Sequence, residues 1–504
     1  MKETFTVNRK LLLELNLESV FKKPHAELVS LCLSLAECCC SLFERINKNS
    51  SNSSISPSTF IPGCAANDDA ITNQKKITEK NTSEISVKKV RQKRSQGYGR
   101  TIKLPISEVI DLYPLACDSC QHIFSDKDYQ HAKCYTAYEQ VDLVDSETGF
   151  GGLIGINRQS KLYQVYCSEC QTITRYRIPR QTTSEDKIIL TPWRVIGSRL
   201  SAVICYLKYE ARMSLRKIQH ALFVLFGVSL SLGVLCRNIH ETGLSAEPIA
   251  GALTAEIQQS EIIHADETGW KEGKKHLWLW VFTSIHTCLF LIGGRTKKMA
   301  QSLFENVAYQ NWLMSDGYLA YREYPKRFRC WAHLERKAKG ISETATIDGV
   351  FFGIAVLKAI TLFKDAIYKA RQENSVQSIK ANFTKELSAF KAECQRYVNS
   401  SHPSTSALAK EFLYDWDSIF RILDYPHFPL TNNLAERALR HWVIIRKITQ
   451  GTRTSIGSKT TAILASIIAT CKLRAVNIIY FVQDTVAAAR HGMQVPMFEA
   501  VKVW

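Results

Sequence analysis

Three acidic residues stand where their type and spacing would suit metal-assisted chemistry at phosphorus. Asp266 closes the apolar run of Ile262–Trp270 (IIHADETGW), and Asp316 closes that of Trp312–Tyr318 (WLMSDGY). Each run reads as a strand with its acid at the end. Glu436 lies in Asn432–Arg440 (NNLAERALR), which has helical character. Phosphodiester cleavage needs divalent ions that activate the nucleophile and stabilise the leaving oxygen. Two ions about 4 Å apart need several carboxylate oxygens around them. Acids on two core strands and a nearby helix would supply those oxygens from rigid elements. Each acid also has a plainer reading, since acids at strand ends and helix surfaces are common. Glu436, followed by Arg437 and Arg440, could form a surface ion pair.

A second group of donors is softer. Cys117 and Cys120, then Cys167 and Cys170, form two C-x-x-C pairs separated by 46 residues. Each pair can clasp one ion from a tight turn, and together they complete a tetrahedral thiolate site. Four thiolates leave no open position, so the ion would be structural zinc. Cys134 and His122 are the alternative ligands, and Tyr113 and Tyr166 are near enough to pack on the site. The long gap requires a small strand insertion between the pairs.

The surrounding elements follow from composition and period. Residues 1–47 read as helical, with Leu28, Leu35 and Leu42 seven apart and Leu31 and Cys38 between them, a short coiled-coil seam or an amphipathic helix. Residues 48–104 form a flexible polar linker that ends in a basic arm containing Lys93 and Arg94. The cysteine module occupies 105–180. Residues 190–255 read as helix, glycine turn, helix, the outline of a helix-turn-helix. Three strands, a helix and a fourth strand follow, the opening of a ribonuclease-H-like α/β core over 256–333 that resumes at 421–450. A helical insertion fills 334–420, and 451–504 is again helical. The predicted fold is therefore a multidomain α/β protein, with a ribonuclease-H-like core preceded by an N-terminal helix, a zinc-ribbon-like module and a helical DNA-binding region.

The chain resembles the transposases of the insertion-sequence family numbered sixty-six. The motifs that carry the resemblance are His264–Trp270, Ser315–Tyr321, Cys330–Leu334 and Asn432–Arg440, with Arg446, Lys447, Gly451 and Ser466–Cys471. The order of linker, basic arm and double C-x-x-C module also matches. Thr431 departs from the family, which often has Asp there, and the linker keeps only Pro57 and Pro62 where relatives are richer in proline. The resemblance implies a DDE triad of Asp266, Asp316 and Glu436 using Mg²⁺ or Mn²⁺, with a helical insertion before the third acid. It implies a transposase that binds the terminal repeats of its own element and transfers them to target DNA. Chemistry and resemblance together place Arg437, Arg440, Arg446 and Lys447 on DNA phosphates, joined by His333 and Arg336. His264 reads more readily as a core histidine. Self-association on DNA and accessory proteins of the same element are further expected partners.

Charge agrees with a polyanionic partner. The 504 residues carry a formal net charge of +18, and each cation near a phosphate releases a counterion. The 16 cysteines are not spaced as a secreted disulfide framework, the N-terminus lacks a signal-peptide pattern, and Ala221–Cys236 is too short and interrupted to span a membrane. These features predict a soluble, cytosolic protein. Two other readings share the fold: an inactive DNA-binding regulator, and a nuclease that cuts without joining.

Overall fold

The structure is a computed structural model. It describes residues 104–499 except 147–151, 178–180, 183–188, Trp193, Ser302 and 304–310, together with scattered helical residues between Pro24 and Cys39. Leu28 and Leu35 of the expected seam are helical, whereas Leu31, Cys38 and Leu42 fall outside the described residues, as do Lys93 and Arg94. The chain divides into two compact units. The larger takes Val87–Asn311 and Asn433–Trp504, and the smaller takes Trp312–Asn432 with the residues before Val87.

The larger unit opens with a sheet built around one long hairpin. Its elements are β1 (Glu108–Leu112), α1 (Asp126–Tyr129), β2 (Lys133–Asp145), β3 (Leu153–Tyr166) and β4 (Ile173–Arg175). β2 and β3 are antiparallel from Lys133↔Gln164 to Asp145↔Leu153. β1 lies parallel to β3 on its other edge, and β4 pairs with the end of β3. This hairpin is the strand insertion that the distance between the cysteine pairs requires. A small ladder of β5 (Gln181–Thr182) and β6 (Ile189–Leu190) follows.

Four helices come next: α2 (Ser198–Tyr209), α3 (Leu215–Phe226), α4 (Leu232–Ser245) and α5 (Glu247–Gln259). Asp142 of β2 ties the start of α2, accepting the Leu200 N–H at 2.7 Å. Ser214 and Ser231 cap α3 and α4 through their side chains, and α3 stops at Gly227, whose φ of 65° suits glycine. α3 and α4 are thus two separately capped helices on either side of the turn at Gly227. Leu200, Ile218, Leu222, Leu235 and Leu253 join one large core. The unit then forms an antiparallel meander of β7 (Ile262–Glu272), β8 (Lys275–Thr283) and β9 (Cys288–Gly293), followed by the short α6 (Lys297–Gln301).

The smaller unit begins with β10 (Trp312–Ser315) and β11 (Arg327–Arg329), which pair in parallel. Five helices follow: α7 (Trp331–Ser342), α8 (Ile347–Gln372), α9 (Thr384–Tyr397), α10 (Pro403–Tyr414) and α11 (Trp416–Phe420). Their core is aromatic. Phe390 meets Phe412 edge-on at 5.1 Å, and Phe363 meets Phe420 at 5.5 Å. This stretch, which the periodicity reads as helical, thus consists of helices. β11 is a strand that the sequence hides, because Arg-Phe-Arg reads as polar.

The chain returns to the larger unit as α12 (Asn433–Thr449), α13 (Ser455–Leu473) and α14 (Ile478–His491). Among the described residues α13 is the helix long and apolar enough to cross a membrane, yet 67% of its apolar window is buried. It packs on β9, where Phe290 and Cys288 donate backbone N–H groups to Ser466 Oγ and Thr470 Oγ1. α13 is a core helix.

Candidate metal and nucleic-acid sites

The two cysteine pairs adopt the same turn twice. Cys117 donates its N–H to His122 O and accepts from the Gln121 N–H, while Cys167 donates to Thr172 O and accepts from the Gln171 N–H. Gln121 and Gln171 both sit in the left-handed region, at φ 61° and 59°. The hairpin of β2 and β3 brings the turns face to face. Cys117 and Cys170 sulfurs are 3.4 Å apart, Cys120 and Cys167 sulfurs 3.6 Å, and all four lie within 4.8 Å of one another. Zinc bound tetrahedrally at about 2.3 Å sets its sulfurs about 3.8 Å apart, so the donors fit that ion. Of the alternative ligands, Cys134 turns its thiol to Thr136 O, and His122 pairs with Asp128 at 3.7 Å. Tyr113 packs beside the site, while Tyr166 is exposed.

The electrostatics suit a cation. The Thr172 hydroxyl and the backbone N–H of Cys120 draw the Cys117 thiol well below its ordinary value. At Cys120 the His122 N–H pulls the same way, but burial and the three neighbouring thiols outweigh it and push the group up. Thr172 also lowers the Cys170 thiol, so two thiolates form readily while that of Cys120 is opposed, a conflict that a divalent ion relieves.

The carboxylates are held differently. Asp266 is within β7 rather than at its end. The strand continues because Thr268 and the buried Trp270 keep the alternation, and β7 turns only at Gly273, with φ 57°. Asp266 is half-buried and accepts the Glu267 N–H at 2.8 Å. Glu267 takes the opposite face and pairs with Arg295 at 3.0 Å, whose guanidinium stacks 4.2 Å from the Trp278 ring. His264 is buried, at 4% exposure, as a core histidine would be.

Glu436 sits in the first turn of α12, and this helix runs alongside β7. Arg446 donates to Gly269 O, Thr452 donates its N–H to Lys271 O at 2.8 Å, and Gly273 donates to Thr452 O at 2.8 Å. The contacts advance in the same direction along both segments. Going back from Arg446 to Glu436 covers about 15 Å of helix, and from Gly269 to Asp266 about 10 Å of strand. Asp266 and Glu436 therefore lie toward the same end of the helix–strand pair. A close approach locks it: a Cβ on Gly451, at φ +88°, would fall 2.2 Å from Lys271 O.

Asp316 belongs to the smaller unit. It directly follows β10 and accepts the Tyr318 N–H at 2.8 Å. It opens onto a cleft of about 850 Å³ shared with α7 and α10. All three acids offer hard oxygen donors, the kind that Mg²⁺ takes.

Of the expected DNA ligands, Arg437, Arg440 and Lys447 are exposed and share one side of α12. Arg446 is half-buried against β7, and burial holds its pKa below the usual arginine range. His333 and Arg336 are half-buried in α7. Sequence reasoning missed Arg322, Lys410, Glu411 and Tyr414 of the cleft, which no local motif marks.

The comparisons with known proteins bear on the same segments. The model of the family described as "Transposase IS66 family" matches residues 194–460, just over half of the chain. The chain belongs to the IS66 transposase family. The match begins just before α2, takes in β7–β9, the smaller unit's strands and helices, and α12, and ends early in α13. A relative in Sinorhizobium fredii (strain NBRC 101917 / NGR234), the uncharacterized protein y4qI, is 25% identical over 400 residues, covering 70% of this chain and 71% of that protein. Membership in an IS66 transposase family implies action on nucleic acid with divalent metal.

Proposed function

We propose that this chain is a DNA transposase that binds the terminal repeats of its element, cleaves strands there and joins them to target DNA. The observation that carries the reading is the placement of three acids within the transposase-family match: Asp266 on β7, Asp316 directly after β10 and Glu436 in the first turn of α12. Three antiparallel strands, a helix and a parallel strand pair follow the element order of a ribonuclease-H-like core.

In this reading Asp266, Asp316 and Glu436 hold Mg²⁺ or Mn²⁺. Such ions activate the attacking water or 3′-hydroxyl and stabilise the leaving oxygen. The chain's own part is to hold strand and acids in register. Arg437, Arg440 and Lys447 place phosphates along α12 toward Glu436, while Arg446 ties α12 to β7 and so fixes the two acids' spacing. The four cysteines hold a structural zinc. That module, with α3 and α4, reads the terminal repeat, and self-association brings two ends together.

The test uses purified chain, labelled duplex carrying a terminal repeat, target plasmid, and Mn²⁺ or Mg²⁺. Metal-dependent cleavage and joined product are expected, with loss of about a thousandfold or more in Glu436→Gln. Cleavage without joining points to a nuclease, and binding without cleavage to an inactive DNA-binding protein.

A further inference from the structure

We infer that the cleft beside Asp316 receives a single unpaired nucleotide of the DNA strand, its phosphate on Lys337 and Lys410 and its base against Tyr414. This rests on the transposase reading and deepens it. The cleft, about 850 Å³, lies wholly within the smaller unit. Pockets for small molecules span about 300–1,000 Å³, so it has room for a nucleotide but not for a duplex.

Charge identifies the phosphate. Arg322, Lys337 and Lys410 line the cleft, and Arg327 and Arg329 lie buried in β11 behind it. Against these five cations stand three acids, Asp316, Glu411 and Asp415. Asp415 accepts from Arg327 and Arg329 at 2.7 Å each. Glu411 accepts from Arg329 and, at 2.7 Å, from Lys337. Burial opposes the Glu411 charge, but Lys337 and Arg329 hold its carboxyl below the ordinary range. Lys410 is exposed and makes no ion pair or hydrogen bond among the described residues. The surplus is positive and faces the opening, where an anion balances it. A divalent cation at Glu411 would instead meet two cations already bound to it.

The aromatic wall identifies the base. Tyr414 is 70% exposed, with the Arg322 guanidinium 4.2 Å from its ring centroid. Leu319, also in the lining, is 60% exposed. A base reaches such a ring only after leaving its stack, and stacking on an aromatic accepts any base. The floor is fixed: a Cβ on Gly317 would meet Arg329 Nη1 at 2.6 Å and Glu411 Oε1 at 2.9 Å, so the turn after Asp316 sits tight on the ion-pair network.

The experiment binds the full chain, without added Mg²⁺ or Mn²⁺, to terminal-repeat duplexes carrying 2-aminopurine at successive positions around the cleavage point. One position should brighten as the base unstacks. Tyr414→Ala should abolish that signal and weaken binding by about five- to a hundredfold, and Tyr414→Phe should restore it. Lys410→Ala should lower the salt dependence of binding by about one unit of slope. Brightening at no position, or brightening unchanged in Tyr414→Ala, with duplex binding intact, overturns the cleft assignment and leaves the transposase reading standing. Competition by free AMP as strong as by the oligonucleotide overturns a DNA strand as the occupant. Failure of the wild-type chain to bind any duplex overturns both readings.

Discussion

The thiol cluster of the larger unit, in which Cys117 and Cys167 are buried and Cys120 exposed, and the buried guanidinium–carboxylate cluster of the smaller one are built in opposite ways. The first collects four donors of one kind from two copies of the same turn. The second sets unlike charges against each other from β11 and α10, with Asp415 at the end of that helix. Like donors repel when ionised, so in the proposed reading the first cluster owes its cohesion to a bound ion. Unlike charges attract, so the second can be stable by itself, provided its desolvation is offset by good geometry. The two should therefore respond differently to substitution.

The largest difference is expected at the thiols. Cys167→Ser should lose the zinc and unfold residues 105–180, because structural zinc contributes on the order of 10 kcal/mol to small modules. The wild type should carry one zinc per chain by elemental analysis, and the variant none. Limited proteolysis should then cut within the module, while the circular dichroism of the helices persists. Replacing a second cysteine should not rescue it. A wild type without zinc, or a variant that keeps it, ends the assignment.

Substitutions in the arginine cluster sharpen the contrast, since there a second change should help. Asp415→Leu removes the acid that both guanidinium groups share, leaving Arg327 without the carboxylate that pairs it. Breaking a buried pair from one side costs about 3–5 kcal/mol. Adding Arg327→Met should recover most of that loss, as Arg329 keeps Glu411. Denaturant titrations of these two variants and of Arg327→Met alone complete the cycle that measures the coupling. Equal destabilisation in both would mean that the pair contributes packing rather than charge balance.

The same contrast explains what the sequence made legible. The thiol cluster is two local motifs, so spacing alone names the four thiols that the fold brings together and requires the β2–β3 hairpin between them. The strands β8, β9 and β10 and the helices α7–α11 also follow from period, because their apolar residues alternate or recur at helical spacing. β11 does not, since Arg327 and Arg329 are buried only because Asp415, 86 residues or more away, meets them. Asp266 was expected at a strand end because the apolar run stops there. The strand goes on because pairing with β8 carries it to the Gly273 turn. Lys410, Glu411 and Tyr414 share one helix face with no motif, and only the fold brings them beside Asp316. The candidate acids were legible through their local sequence and family resemblance, whereas the cleft was not.

A third polar contact rests on a histidine that hydrogen-bonds as a neutral ring, with Glu210 4.0 Å from it, and should show the smallest effect. His441 of α12 donates from Nε2 to Tyr209 O at 2.6 Å, and Arg212 Nη2 lies 2.9 Å from its Nδ1, which must accept. That arrangement requires a neutral ring. Burial, reinforced by the Arg212 charge, lowers the His441 pKa from its ordinary 6.5, against the pull of the Tyr209 carbonyl and Glu210. A depressed pKa favours the folded state while the ring is neutral. The contribution is therefore full above about pH 6.5 and is lost as pH falls through the folded value. His441→Leu should be less stable than wild type by about 1 kcal/mol at pH 7.5. The gap should narrow as pH falls toward 5, where the wild-type ring must charge beside a guanidinium and the leucine cannot. Melting temperatures of the two proteins across that range read it out. A gap that widens would show that the ring is held as imidazolium and that α12 is tied to α2 by charge after all, and a constant gap would show that folding leaves its titration unchanged.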